Sequence, residues 1–236
     1  MAIKLYYDFH IHSALSPCGD EDMTPNNIVN MAMLKGLDMI AIADHNSAGN
    51  CAAVMKAAPD GLLVLPAIEV ETSEEVHMLC IFKDLEGALS MEREIIASIE
   101  PIENRSEIFG RQLYMDENDE IIGEEKRLLV TASGLDIYET VRLAKSFGGV
   151  AIPAHIDRMS YSVLSNLGFI PPDLDVSAVE ITEKNLNAMR DNYDEFRVIT
   201  NSDAHYLGNI SERHNYLDLS CKNAQEVVEF LCKATK

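Results

Sequence analysis

The chain has 236 residues, and 19 Lys+Arg against 39 Asp+Glu give it a formal charge of −20. That length suits one α/β-barrel-type domain or two small domains, and the apolar fraction of 47% excludes a disordered chain. Such a negative surface repels a phosphate backbone, which argues against a partner that is extended nucleic acid; a small anionic substrate held by bound cations remains compatible, because local charge decides that.

No apolar run approaches the ~18–20 residues of a membrane span, so no membrane partner is expected. Met1-Ala2-Ile3-Lys4 leads straight into a strand-like run without the apolar stretch of a signal peptide. The five cysteines (Cys18, Cys51, Cys80, Cys221, Cys232) form no C-x-x-C pair. This speaks against zinc ribbons and thioredoxin-type chemistry, and the expected setting is a reducing cytoplasm. The sequence sets no oligomeric state.

Short apolar runs alternate with helical patterns along the chain. Residues 5–11 read as a strand. Thr24-Pro25 then predicts a helix start, and the spacing of Ile28, Val29, Met31, Ala32 and Leu34 continues it to Gly36. Strand patterns follow at 39–43, 62–65 and 76–82, with helices at 47–58 and 85–99. Beyond these, 135–147 predicts a helix, 150–152, 176–181 and 197–200 strands, 216–219 a last strand and 223–232 a closing helix capped by Asn223. Strands alternating with helices imply a mostly parallel sheet or barrel.

Residues 104–127 break this rhythm. Two strand-like pieces, 111–115 and 120–122, flank the turn-rich Asp116-Glu117-Asn118-Asp119, which predicts a β-hairpin insertion. It reads either as a solvated surface loop or as a lid over a site.

Six of the seven histidines fall at or just beyond strand-like runs, most beside a carboxylate. His10 and His12 end the first strand two residues apart, so both point to one face. Asp44-His45 follows the second strand and Glu69 the third; His77 lies in the next, His155 follows another, and Asp203 and His205 follow 197–200. In parallel α/β architectures such positions converge at the C-terminal strand ends. Singly, each has a structural reading: surface histidines on a strand, a helix cap at Asp44 or Asp203, a buried imidazole. Jointly they point to a divalent metal centre, since neutral imidazole is a ligand and the metal neutralises the carboxylates. Six histidines with Glu69 and Asp203 exceed one tetrahedral zinc and suffice for two or three ions. His214 lacks such a setting and reads as structural.

These residues resemble the PHP (polymerase and histidinol phosphatase) superfamily. Asp8-Phe9-His10-Ile11-His12-Ser13 resembles its first motif and Ile42-Ala43-Asp44-His45-Asn46 its second. Glu69 with His77 fits the third, Pro153-Ala154-His155 adds a further ligand position, and Asn201-Ser202-Asp203-Ala204-His205 resembles the last. The resemblance implies an α/β fold, a distorted (β/α)7 barrel with a metal site at the C-terminal ends of its strands. The whole of 1–236 would then form one PHP-like barrel domain carrying the 104–127 insertion.

The resemblance further implies two or three divalent metal ions (Zn, Mn or Fe) and a phosphoesterase acting through a metal-bridging hydroxide. The substrate would be a small phosphorylated metabolite or nucleotide; the alternatives are an amidohydrolase-like reaction or histidinol-phosphate phosphatase activity. His10, His12, Glu69 and Asp203 would hold the first metal, Glu69, His77 and His155 the second, and His45 and His205 the third. Asp44 would orient a ligand. Asp203 or His205 would hold the nucleophilic water and relay protons, and Arg158 would grip the substrate phosphate, with Arg105, Arg111 and Lys184 as weaker candidates. Phosphatase-type members often carry a histidine six residues beyond His12; here Pro17-Cys18-Gly19 stands there, making Cys18 or Asp20 the candidate ligand from this loop.

Overall fold

A computed structural model describes residues 2–233. Strand β1 (Ile3–Ile11) starts exposed and ends fully buried, so it delivers its last residues to the interior. Thr24 caps helix α1 (Pro25–Leu34) by accepting from the Asn27 amide, and Ile28, Val29 and Ala32 face inward. Gly36, at φ +70°, supplies the left-handed residue just past this helix. Strand β2 (Met39–Ile42) is buried throughout. Helix α2 (Cys51–Ala57), β3 (Leu63–Glu71), β4 (His77–Phe82) and α3 (Leu85–Ser98) follow. Next come α4 (Ser106–Phe109), β5 (Leu113–Met115), β6 (Ile121–Glu124), and α5 (Ile137–Ser146) behind an Asp136–Glu139 capping box. Strand β7 (Gly149–Pro153), α6 (Val163–Asn166), β8 (Ala178–Glu180), α7 (Leu186–Met189), β9 (Arg197–Ile199), β10 (Tyr216–Leu219) and α8 (Ala224–Leu231) complete the order.

Six strands form one curled sheet in the order β10-β1-β2-β3-β4-β7. The expected parallel sheet holds only for β1, β2 and β3. Strand β4 is antiparallel to both β3 and β7, and β10 is antiparallel to β1. The physical reason lies in 72–76: five residues join β3 to β4, whereas a parallel crossover needs about a dozen or more. Strands β8 and β9 pair in parallel beside this sheet. They lie between its two flanks: Ile156 N donates to Glu180 O at 2.9 Å on the β7 side, and Phe9 N donates to Asn201 Oδ1 at 2.8 Å on the β1 side.

Both faces of the sheet are buried. Ile40, Ile42, Met78 and Cys80 pack under the helices, while Phe9, Ala41, Leu79 and Ile152 fill the concave side. No helix among the described residues is long and apolar enough to cross a membrane.

The segment around the β5–β6 hairpin is fastened to the body. Leu113 N donates to Ala14 O at 2.9 Å, and Asn50 bonds Leu113 O and Met115 N through its side chain. Ala14, Leu113 and Met115 form a small apolar cluster of their own. Gln112, fully buried, bonds the backbone of Glu125, Arg127 and Leu129. The hairpin thus packs on the loop that follows His12.

Candidate metal centre

Eight ionisable side chains meet at one end of the sheet. His10 and His12 arrive from the end of β1, His45 from just beyond β2, Glu69 from β3, and His155 from just beyond β7. Because β4 runs antiparallel, its first residue, His77, reaches the same end. Asp203 and His205 follow β9. The Glu69 carboxylate is the hub. Its Oε1 lies 2.8 Å from His77 Nδ1, 3.0 Å from His155 Nε2 and 3.3 Å from His10 Nε2. Its Oε2 lies 3.0 Å from His45 Nδ1 and 3.4 Å from His12 Nε2. Asp203 Oδ1 stands 3.0 Å from His12 Nε2 and 3.5 Å from His10 Nε2. His205 is turned by its Nδ1, which donates to Asp203 O at 2.9 Å.

These donors fit metal ions. Three groups have ligand atoms within 4.8 Å of one another: His10, His12, Glu69 and Asp203; His45, Glu69 and His77; and His12, His45 and His205. His10 Nε2, His45 Nδ1 and His77 Nδ1 are buried and make no hydrogen bond, although Glu69 oxygens lie close by. Donor atoms crowded together without pairing are what ligands of a shared ion require. Two ligands about 2.1 Å from one ion and 90–110° apart stand about 3.0–3.4 Å from each other, the spacing seen here.

The electrostatics are those of a compact cluster of opposite charges. Burial pulls the Glu69 pKa upward, but His77, His10 and His45 outweigh it and hold the carboxyl well below its usual range. Asp203 is lowered as well: burial works against this, and His10 and His12 overcome it. For His10, burial favours the neutral ring, yet Glu180, Glu69 and Asp203 raise its pKa. His77 is raised likewise by Glu69 against its burial. His45 is lowered by burial, and His205 falls to about 4 through burial and the neighbouring His12.

A surrounding layer of groups orients the cluster. Asp44 accepts from Ser13 N at 2.7 Å, Ser13 Oγ at 2.6 Å and Ser16 Oγ at 2.7 Å, and Ser16 Oγ meets His12 Nδ1 at 2.9 Å. Asp44 thus acts on His12 through Ser16. Glu180, the last residue of β8, places Oε2 3.0 Å from His10 Nδ1. Three non-glycine residues at the cluster adopt positive φ: Asn46 (+52°), His155 (+29°) and Asp203 (+51°). Backbone strain of this kind gathers at functional sites.

The remaining predicted residues have distinct placements. Cys18 is a free thiol on an exposed residue; desolvation of its sulfur, and then Glu69 and Asp203, raise its pKa. It joins none of the three ligand groups. Asp20 turns its carboxylate to Asp22 N at 2.9 Å, while its own amide donates to His205 O. Arg158 reaches the cluster, with Nη2 2.6 Å from Asp203 Oδ2. Arg111 pairs instead with Glu21 and Glu124. His214 pairs with Glu183 at 3.1 Å. Sequence reasoning missed Glu180 and Tyr161, the latter stacked on His77 with ring centroids 4.9 Å apart.

No protein-family model matches this sequence, and no curated protein matches it. The fold does have solved counterparts. It is similar to the lesion-specific endonuclease PfuEndoQ from Pyrococcus furiosus, at a TM-score of 0.72, 18% identity, 98% of this chain and 56% of that one. A structure of endonuclease Q with a 27-mer duplex carrying an abasic lesion at its active site gives 0.67, 20%, 96% and 56%. A proposed metal-dependent phosphoesterase from Bifidobacterium adolescentis gives 0.59, 20%, 90% and 92%. The chain therefore spans little more than half the length of the endonuclease Q chains. These likenesses show that the chain shares the fold of endonuclease Q and of that proposed phosphoesterase, and the His/Glu/Asp cluster lies within this fold.

They also overturn one expectation. The charge of −20 does not exclude extended nucleic acid as a partner, because endonuclease Q, which contains this fold in 56% of its chain, takes a 27-mer duplex as substrate. Net charge sums the whole surface, whereas a phosphate at a site meets only the cations and dipoles beside it.

Proposed function

We propose that the protein is a metal-dependent phosphoesterase. The observation that carries this reading is Glu69, whose two oxygens face five histidines while three of the nearby imidazole nitrogens make no hydrogen bond. In this reading His10, His12, Glu69 and Asp203 would hold one ion, and Glu69, His77 and His155 a second; His155 lies outside the three groups above but meets Glu69 Oε1 at 3.0 Å. His45 and His205 serve a third. Bound divalent ions supply Lewis acidity toward a phosphoryl group and lower the pKa of a water.

The chain's own residues do the rest. Arg158 offers a guanidinium beside Asp203 for the non-bridging phosphoryl oxygens. His205 keeps its Nδ1 proton on Asp203 O, which leaves Nε2 as the lone-pair nitrogen, either to ligate or to take a proton from the attacking water. No side-chain nucleophile is needed. The seven strands β1, β2, β3, β4, β7, β8 and β9 read as a distorted (β/α)7 barrel, with 104–127 as an insertion in a single domain.

A small phosphorylated metabolite or nucleotide is the first substrate reading, supported by a cluster served by one guanidinium. A nucleic-acid phosphodiester is the second, favoured by the likeness to endonuclease Q over 98% of this chain. The test is hydrolysis by Mn- or Zn-loaded protein of phosphomonoesters, phosphodiesters, amides and an abasic-site duplex. Phosphate-ester hydrolysis in oxygen-18 water, with label in the phosphate product, is expected. Hydrolysis of amides alone, or a trapped phospho-enzyme, would overturn the reading.

A further inference from the structure

The turn that follows β7 sends three side chains to three different members of the cluster. His155 places Nε2 3.0 Å from Glu69 Oε1, Arg158 places Nη2 2.6 Å from Asp203 Oδ2, and Tyr161 lies on His77. The turn is pinned at each step. Arg158 N donates to His155 O at 2.9 Å, Ser162 Oγ donates to Arg158 O at 2.7 Å, and Tyr161 O accepts from His77 N at 2.9 Å. A cation and an aromatic ring from one short segment thus flank the same buried centre.

The ring of Tyr161 has an unusual situation. It lies nearly parallel to His77, at 22°, and the residue is still 46% exposed. Its backbone sits at φ +55°, a conformation that L side chains disfavour, and the bond from His77 N holds it there. One ring face is covered by His77, a metal-ligand candidate, while nearly half of the residue stays open to solvent beside the cluster. A phosphoryl group gains nothing from such a surface, and a short alkyl leaving group gains little. A planar π system gains stacking, which is tolerant of the identity of the ring.

We propose that Tyr161 is a specificity-determining residue that stacks the aromatic ring of the leaving group, an aryl ring or a nucleoside's base, of a phosphate ester held at its phosphoryl end beside Arg158. This inference rests on the phosphoesterase reading and refines its substrate class. Phenylphosphonate and methylphosphonate, which carry an uncleavable C–P bond, separate it from that reading. Metal-loaded wild-type protein should bind phenylphosphonate tighter by on the order of ten-fold, and Tyr161→Leu should abolish that difference while keeping its metal content. Tyr161→Phe should preserve it.

A ring that merely covers His77 would lower affinity for both phosphonates alike. In turnover, Tyr161→Leu should raise KM for p-nitrophenyl phosphate and for adenosine monophosphate, and leave glycerol phosphate within about two-fold of wild type. An effect on only one of the two planar substrates would assign the ring to aryl or to nucleoside esters. Equal affinity for the two phosphonates, or a preference that survives in Tyr161→Leu, would overturn the role of Tyr161. A wild type that hydrolyses no phosphoester would instead sink the function on which it rests.

Discussion

Glu180 holds His10 from behind. The carboxylate lies 3.0 and 3.2 Å from His10 Nδ1, and the opposite nitrogen, Nε2, faces Glu69 and Asp203. Both residues are buried. A carboxylate there keeps the proton on Nδ1 and makes Nε2 the better ligand. Glu180→Gln should therefore weaken metal binding about ten- to a hundred-fold without unfolding the protein. Competitive titration with a chelator reads this directly; unchanged affinity would mean that Glu180 only fills space.

Metal uptake should expel protons. His10 and His77 are raised above 6.5 in the metal-free protein, whereas His45 is lowered well below it and His205 falls to about 4. A ligand imidazole must be neutral, so His10 and His77 lose their protons on binding and apparent affinity rises with pH. Protons should therefore appear when zinc is added near neutral pH in a weak buffer. The sign for stability follows from the same groups. A raised pKa contributes stability below the unfolded value and loses it as pH rises through the folded value. The metal-free protein should therefore lose this contribution on the alkaline side, and the loaded protein should not show that loss. Zinc binding without proton release would contradict the assignment.

Much of the centre was legible because its residues sit at fixed distances from strand ends. His10 and His12 share a face by the two-residue period, and Asp44-His45 and Asp203-Ala204-His205 each follow a recognisable apolar run. Glu180 was not legible: a glutamate between Val179 and Ile181 looks like any strand carboxylate until β8 is set between β7 and β9 with this side chain turned to His10. Tyr161 is equally silent, since its role comes from a positive φ and a tertiary stack. Helices α4, α6 and α7 span four residues each, too short to show a helical period. The direction of β4 was readable from its five-residue link, a length the strand pattern alone does not weigh. Net charge misled because it carries no positions.

Asn46 ties the second strand's loop to the segment after the hairpin. Fully buried at φ +52°, it donates to Leu129 O at 2.8 Å and Thr131 O at 3.0 Å, and accepts from Glu71 N at 3.1 Å. Asn46→Ala removes three hydrogen bonds, two of them buried, and keeps the unfavourable φ, which should cost about 3 kcal/mol. The urea midpoint measures it. A loss under about 1 kcal/mol would show that these bonds are replaced by water.

Arg158 is 44% exposed at its side chain, so its ion pair with Asp203 contributes little to stability. Its value lies in the charge presented to a phosphoryl group. Arg158→Gln should lower kcat/KM for phosphoesters about ten- to a hundred-fold, the worth of one hydrogen bond to a charged group, while thermal stability stays nearly constant. Unchanged kinetics would assign the phosphate grip elsewhere.

Glu69 and Cys18 make opposite predictions for metal content. Glu69 touches five histidines, so Glu69→Gln removes the charge that two ion positions share, and leaves His77 without its principal counter-charge and His10 with only Glu180 and Asp203. Elemental analysis of Glu69→Gln should show loss of the shared ions. Cys18 stands outside all three ligand groups, and its thiol pKa is raised. Cys18→Ala should therefore keep the ions at Glu69, and any loss should be confined to a third ion near His45 and His205. Anomalous scattering at the metal edges locates each one. Full occupancy in Glu69→Gln, or an empty centre in Cys18→Ala, would show that the hub of the site has been placed on the wrong residue.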